Sequence, residues 1–208
     1  MKFLRYLLIT ASALVLITIT PTKVLAQEKE HTLDFQNRSI LHIQYDATPN
    51  TFAAGWVIAN PRLYGNNNIN ALFGIGFRGE KWWFETMVQK QWGQKGGKIL
   101  ADNRFGYDFD GKASLYLEVA PFLNEEDSGS VYDMIVFEKR VWRKLSLGIE
   151  TENVHKKERD SLGLGPRVRI PLDSTGNFKM SLALAYQLRS GETDPFRFYL
   201  IFSKQFQQ

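Results

Sequence analysis

The sequence contains no cysteine and few histidines. Cysteine is absent from all 208 residues, which excludes disulfide bonds, thiolate metal ligands, a cysteine nucleophile and a lipid-modified N-terminal cysteine. The histidines are His31, His42 and His155, and no group of His and carboxylate residues with metal-ligand spacing accompanies them. We therefore expect neither a metal nor another cofactor.

Residues 1–26 have the three parts of a secretory signal peptide. Lys2 and Arg5 precede the apolar run YLLITASALVLITIT, and VLA (24–26) offers small or branched residues at a cleavage site. The run is short for a membrane-spanning helix of about 20 residues, and no stop-transfer charges follow it. We expect this segment to be cleaved, which leaves a mature chain of residues 27–208.

The mature chain has little charge of either sign in excess. The whole sequence has 26 Lys and Arg against 22 Asp and Glu. Removal of Lys2, Arg5 and Lys23 leaves 23 bases against 22 acids, a net charge of +1. Because no strong basic field remains, we expect no nucleic-acid partner. No linker or low-complexity block interrupts residues 27–208, so one domain is predicted.

Alternation of apolar and polar residues is the dominant pattern of the mature chain. In KASLYLEVAP (112–121), Ala, Leu, Leu and Val alternate with Ser, Tyr, Glu and Ala. A period of two indicates strands with two unlike faces, and no stretch after residue 26 keeps a helical period for three turns. Alternating segments are found at 39–46, 52–59, 70–78, 81–92, 103–109, 112–121, 131–141, 144–152, 161–170, 178–189 and 194–208. The sequence therefore predicts an all-β protein.

The number of strands and the composition of their polar row favour a membrane barrel over a soluble one. Eleven segments exceed the eight strands that a lipocalin-type barrel needs. The polar row combines small residues with charges, which suits the interior of a transmembrane barrel. The charged residues expected to face the lumen are Glu85, Glu118, Glu150, Glu152, Arg167, Arg169, Arg189 and Arg197.

Connection lengths and aromatic residues agree with a barrel that crosses the outer membrane. Short turns are predicted at 78–81, 108–112, 141–144 and 172–177, alternating with longer loops at 60–70, 93–101, 123–130, 153–160 and 189–195. Outer-membrane barrels place short turns in the periplasm and long loops outside. Aromatic side chains gather where such strands meet the membrane surface. The aromatic residues expected there are Trp82, Trp83, Trp92, Trp142, Phe178 and Phe206.

The last strand carries a further signal. Phe198, Leu200, Phe202 and Phe206 form an apolar row that ends in a near-terminal aromatic. This row resembles the final strand of Gram-negative outer-membrane β-barrel proteins. More loosely, the chain resembles small monomeric porin-like channels such as oligogalacturonate-specific porins. Lys204 interrupts the row, and Gln207 and Gln208 follow the aromatic residue. The resemblance implies an antiparallel up-and-down barrel in the cell outer membrane. Its expected partners are membrane lipid, lipopolysaccharide and the barrel assembly machinery.

Strand number follows from parity. If both chain ends lie in the periplasm, an even number is required, and HTLDFQ (31–36) supplies a twelfth strand. The odd-numbered apolar row runs from Leu33 to Tyr45 without a break, however. The alternative is therefore that the segments 31–36 and 39–46 form one long strand, and that the barrel has ten strands. We predict twelve strands.

Three functions remain open at this point. A porin-like channel for small solutes, anionic ones included, would use the inward arginines as a basic arc. If the arginines instead pair with the glutamates, the barrel is filled, and the loops LNEEDSGS (123–130) and NVHKKERD (153–160) become surface-binding elements on an anchor. A membrane-embedded hydrolase or lipid-modifying enzyme is the least favoured, because the only suggestive group is His155 with Glu152, Asp160 and Ser161. We expect the protein not to be an enzyme.

Overall fold

The computed structural model describes residues 33–61, 67–93, 96–124, 129–142, 145–156, 160–189 and 196–207. Nearly all of them lie in β-strands, and none of these ranges includes a helix long and apolar enough to cross a membrane. The predicted signal peptide, residues 1–26, lies outside the described residues.

The described residues form eleven strands that close into one barrel. The strands are β1 Leu33–Asp46, β2 Thr51–Asn60, β3 Asn68–Arg78, β4 Trp82–Gly93, β5 Gly96–Phe109, β6 Ala113–Pro121, β7 Val131–Trp142, β8 Leu145–His155, β9 Ser161–Pro171, β10 Phe178–Arg189 and β11 Phe196–Gln207. Each strand from β1 to β10 pairs antiparallel with the next one along the chain. The predicted all-β, up-and-down barrel is confirmed.

The connection between β5 and β6 shows how local sequence sets this topology. Asp110 and Gly111 have φ angles of 54° and 68°, and the Lys112 amide donates to the Phe109 carbonyl over 3.0 Å. Two consecutive residues with positive φ define the type I′ turn, which matches the twist of paired strands and favours Asp-Gly. The sequence Asp-Gly therefore fixes this hairpin.

The barrel closes through a parallel pair. β1 pairs with β11 in parallel over twelve positions, from Leu33 opposite Phe196 to Gln44 opposite Gln207. With eleven strands, the first and last must run in the same direction. The prediction of twelve strands is wrong, and so is ten. Within the predicted segment 31–36, residues 33–36 belong to β1 rather than to a separate strand, because β1 runs from Leu33 to Asp46 without a turn. Residues 31 and 32 lie outside the described residues.

The two ends of the barrel carry different connections. The end named the short-turn end is where β1 meets β2, β3 meets β4, β5 meets β6, β7 meets β8 and β9 meets β10. The end named the long-loop end is where β2 meets β3, β4 meets β5, β6 meets β7, β8 meets β9 and β10 meets β11. The predicted long loop at 93–101 is wrong, because β5 already begins at Gly96. The glycines there suggested a loop, yet Leu100 points inward and is buried while Ile99 points outward.

The barrel holds its charged groups inside, together with two small apolar clusters, and has an apolar outer face. Phe73 on β3 is 72% exposed, and Val88 on β4 is 61% exposed. On β11, Tyr199 and Ile201 face inward and are buried, while Phe198, Leu200 and Phe202 alternate with them. Other exposed outer-face residues are Tyr45, Val57, Ile69, Ile75, Val119, Ile135, Leu147, Ile149, Leu164, Leu184 and Tyr186.

Lys204 lies in the apolar row of β11, where its charge is compensated. Its Nζ lies 3.0 Å from Asp173 Oδ2 and close to the rings of Phe178 and Phe206. The ammonium group therefore sits among aromatic rings at the short-turn end and is paired with the carboxylate of a turn residue. A cation at this rim keeps its charge compensated while its aliphatic stem continues the apolar face.

The parallel closure can be tested by engineered cysteines, since the chain has none of its own. Ser39 lies opposite Phe202, so Ser39→Cys with Phe202→Cys places two Cα atoms within disulfide range. We expect rapid oxidation to a cross-linked form, measured by mobility on a denaturing gel after cleavage between the two sites.

The matched control is Ser39→Cys with Leu200→Cys, in which the second cysteine is two residues out of register. We expect little cross-link in this variant. Equal cross-linking in both, or cross-linking only in the control, would contradict the register of the seam.

Candidate functional site

The interior of the barrel is the candidate site. It contains a cavity of about 1150 Å³ lined by residues of all eleven strands. The lining reaches from Lys98 and Lys156 near the long-loop end to Arg140 and Lys179 near the short-turn end. Three groups of charged side chains lie along this interior.

The first group surrounds Arg167 on β9. Its Nε donates to Glu138 Oε1 over 2.8 Å, its Nη1 donates to Glu150, and its Nη2 donates to Ser181 Oγ over 3.1 Å. Arg169 adds a contact of 2.7 Å from its Nη2 to Glu138 Oε2. Glu138 and Glu150 are almost fully buried, so these guanidinium groups supply the charge that makes their burial tolerable.

The second group is built on Arg104 of β5, which is 2% exposed. Its guanidinium is bound by both carboxylate oxygens of Asp102, at 2.7 and 3.1 Å, and lies 3.4 Å from Glu118. It also stacks over the Trp56 ring at 4.3 Å. The Trp56 indole donates to Glu85 over 2.8 Å. A bidentate pair with an aromatic contact is an arrangement that arginine, unlike lysine, can make.

His42 extends this group toward β1. Its ring stacks on Trp56 with centroids 3.9 Å apart, and its Nε2 lies 3.1 Å from Glu85 Oε1. Glu85 therefore receives contacts from both rings. The group runs without interruption from β1 to β6 along the inner wall.

The third group crosses the lumen. Arg38 on β1 donates to Glu152 on β8 over 2.8 Å and to Asn60 over 3.0 Å. By the shorter way around the barrel, β1 and β8 are separated by β11, β10 and β9. Tyr132 also donates to Glu152, over 3.2 Å. This bridge joins opposite walls, so it narrows the interior at its level.

The structure brings six of the predicted lumen residues into these groups. They are Glu85, Glu118, Glu150, Glu152, Arg167 and Arg169. Arg189 and Arg197 lie in β10 and β11, but their side chains are outside the described part of the structure. The expectation of a basic arc without acidic partners is wrong for Arg167 and Arg169, because both pair with Glu138.

Four central residues were missed by the sequence interpretation. Arg38 fell between two predicted segments, and Asp102 fell next to the wrongly placed loop at 93–101. Arg104 lay inside a predicted strand, and its alternation with Phe105 could have identified it. Glu138 belongs to β7, whose sequence at 131–141 alternates less regularly than the other segments, so its face was not assigned.

The predicted interfacial aromatics lie near strand ends, with one correction. Trp82, Trp142, Phe178 and Phe206 are at the short-turn end and Trp92 is near the long-loop end.

Trp83 instead lines the interior cavity. Its indole packs over Gly106, where an added Cβ would overlap the ring, and its centroid lies 6.0 Å from that of Tyr116. Adjacent strand residues point to opposite faces, so Trp82 and Trp83 cannot share the outer surface.

His155 lies at the long-loop end of β8. Its Nε2 is 2.7 Å from Asp133 Oδ2, and its Nδ1 is 3.6 Å from Asp160 Oδ1. Both ring nitrogens therefore face carboxylates, an arrangement that leaves neither nitrogen aimed at a serine hydroxyl. Among the described residues, no group of three His, Asp or Glu side chains is placed to hold a metal ion.

Comparison with known proteins gives no assignment. No protein-family model, no curated protein and no solved structure matches the chain. The function is therefore argued from the geometry of the barrel.

The Arg167 group gives a testable prediction of stability. Arg167→Gln leaves Glu138 and Glu150 buried with one cation fewer, so we expect a loss of about 3–5 kcal/mol in the free energy of unfolding. The measurement is urea unfolding of the refolded barrel, followed by tryptophan fluorescence.

Two variants control for this result. Lys112→Gln removes one positive charge from an exposed turn and should unfold like the wild type. Adding Glu150→Gln to Arg167→Gln removes one of the stranded carboxylates and should recover part of the loss. If Arg167→Gln and Lys112→Gln unfolded alike, the ion pairs would not stabilise the interior.

Proposed function

We propose that the chain is an integral outer-membrane β-barrel protein. The observation that carries this proposal is the inverted polarity of the barrel, with charged groups inside and large apolar side chains such as Phe73 and Val88 exposed outside. A contiguous apolar surface of this extent is unfavourable in water. A bilayer removes the penalty, because hydrocarbon chains then cover the outer face.

Strand length supports the same proposal. The strands are 9 to 14 residues long, and a tilted strand needs about 9–11 residues to cross a bilayer. Closure of the sheet pairs the edge strands with each other, which meets the requirement that backbone groups in hydrocarbon be hydrogen-bonded.

The proposed orientation follows from the connections. The short-turn end faces the periplasm and the long-loop end faces outward, as in outer-membrane barrels generally. Membrane lipid and lipopolysaccharide are then the partners of the outer face, and the assembly machinery reads β11. Asp133, Asn153 and His155 form a polar cluster at the long-loop end, a position at the level of the headgroups.

We further propose that the barrel acts as a closed anchor that presents its two ends, rather than as an open diffusion pore. The Arg38–Glu152 bridge joins opposite walls, and Arg104, Glu85 and Glu150 are at most 2% exposed. Side chains packed and paired in this way leave little water around the charged groups at mid-height.

A porin-like channel for small solutes is the second candidate function. The cavity of about 1150 Å³ favours it, because its lining residues extend toward both ends of the barrel. The closed anchor and the channel differ in whether the Arg38–Glu152 ion pair opens under working conditions.

Membrane embedding predicts a depth-dependent cost for charge on the outer face. Phe73 lies at the centre of β3 and Phe109 is the last residue of β5. We expect Phe73→Arg to cost about 2–4 kcal/mol or to block assembly, and Phe109→Arg to cost about 0–1 kcal/mol, since the penalty falls toward the interface. Folding into lipid vesicles, followed by urea titration, measures both.

In a water-soluble barrel, neither arginine would be costly, because both phenylalanines are already exposed. Similar stabilities for the two variants, or recovery of the wild type in the soluble periplasmic fraction, would overturn the membrane proposal.

The closed-anchor proposal predicts the electrical behaviour of the refolded protein. In planar bilayers we expect no sustained conductance steps from residues 27–208. Arg38→Gln combined with Glu152→Gln removes the cross-lumen bridge and should raise conductance above that background. Stable conductance from the wild type would instead favour the channel.

A further inference from the structure

We propose that the lumen binds a phosphate group at its short-turn end, through a cluster formed by Arg140, Arg169 and Lys179, here named the mouth cluster. This inference goes beyond the anchor function and does not depend on the membrane. The cluster lies on the short-turn side of the Arg167 group, with which it shares Arg169.

The mouth cluster is assembled by strand register. Arg140 on β7 lies opposite Ser146 on β8, Ser146 lies opposite Arg169 on β9, and Arg169 lies opposite Ser181 on β10. Lys179 is two residues from Ser181, on the same face. All five side chains line the cavity. Cations and hydroxyl groups therefore alternate along the inner wall.

The cluster contains more positive charge than its carboxylates neutralise. Glu138 is shared between Arg167 and Arg169, and Glu150 contacts Arg167. Within the described ranges, no carboxylate lies within ion-pair distance of Arg140 or Lys179.

The other acids around the mouth are committed elsewhere. Asp173 pairs with Lys204, and Asp108 accepts from the Gly111 amide. Counted together, the cations Arg140, Arg167, Arg169, Lys179 and Lys204 face the carboxylates Asp108, Glu138, Glu150 and Asp173, which leaves one positive charge in excess. Like charges held side by side in this way attract an anion.

Access separates this cluster from the buried pairs. Arg140 is exposed and the Arg169 side chain is 29% exposed, against 2% for Arg104. A small recess on the same side is lined by the cations Lys112, Arg140 and Arg169, the hydroxyl groups of Ser114 and Ser146, and the carboxylates Asp108 and Glu138. An anion can therefore reach these cations from the short-turn end without displacing the central ion pairs.

The donors favour an oxyanion over a halide. Guanidinium groups present paired N–H donors that match phosphate oxygens, lysine adds a compact charge, and serine hydroxyls donate further hydrogen bonds. Ser174 and Thr175 of the 172–177 turn line the same cavity and add two hydroxyl groups. A phosphate group, with several acceptor oxygens, uses such a set more fully than a spherical ion.

The test is a titration of the refolded full barrel in neutral detergent with inorganic phosphate, with chloride adjusted to keep ionic strength constant. We expect saturable heat release by calorimetry and a matching rise in Tm. Arg140→Gln combined with Lys179→Gln should weaken phosphate binding at least tenfold. The matched control, Lys156→Gln, removes a lumen-lining charge at the opposite end and should bind phosphate like the wild type.

Several outcomes would overturn the proposal. They are no saturable binding by the wild type, an equal effect of chloride alone, and unchanged binding in the double variant. A second titration with dihexanoylphosphatidic acid separates a free phosphate from a lipid headgroup. The inner-wall position predicts that inorganic phosphate binds at least as tightly, whereas clearly tighter lipid binding would place the site on the outer face. All of these measurements are made in detergent, so they are independent of the membrane and conductance tests.

Discussion

Closure of the sheet is the constraint on which the other features of this barrel depend. Each described strand is hydrogen-bonded on both sides, and the pairing of β1 with β11 completes the ring. An open sheet would expose two rows of backbone donors and acceptors. It would also leave Arg104 and Glu85 on a hydrated face rather than in an interior. Only a closed wall can hold apolar residues outward on every strand while it isolates charged residues within, and the inverted polarity follows from that.

Isolation of the charges then determines how the interior is organised. Asp102, Glu138 and Glu150 are almost inaccessible, and carboxylates in such a setting require close cations. Arg104 and Arg167 supply them, each bound by two carboxylates. Toward the short-turn end the wall opens to solvent, so cations need no such matching there, and Arg140 has no carboxylate partner among the described residues. The interior thus changes from a paired middle to a basic mouth, and the anchor and phosphate-binding proposals refer to different levels of it.

The positions of the alternating segments could be predicted because a period of two survives in each strand, and a wall with one apolar face imposes that period on any sequence. The total of eleven could not be predicted, since the parity argument assumed that both chain ends lie on the same side of the barrel, and residues 33–36 continue into β1 without a turn. The pairing of individual side chains could not be predicted from the sequence for a different reason. Arg38 and Glu152 are 114 residues apart, and their contact depends on barrel diameter and strand stagger, which alternation does not encode. Trp83 was predictable, because its neighbour Trp82 already occupied the outer face.

The parallel seam has a consequence for anything joined to the barrel. β1 starts at the long-loop end, and β11 finishes at the short-turn end. A domain fused ahead of Leu33 and another fused after Gln207 would therefore stand on opposite sides of any layer that the barrel spans. Barrels with an even number of strands return both flanks to one compartment. If the barrel spans a membrane as proposed, reporters fused to its two flanks would therefore be displayed in different compartments, as they are at the two ends of a protein with a single membrane-spanning segment.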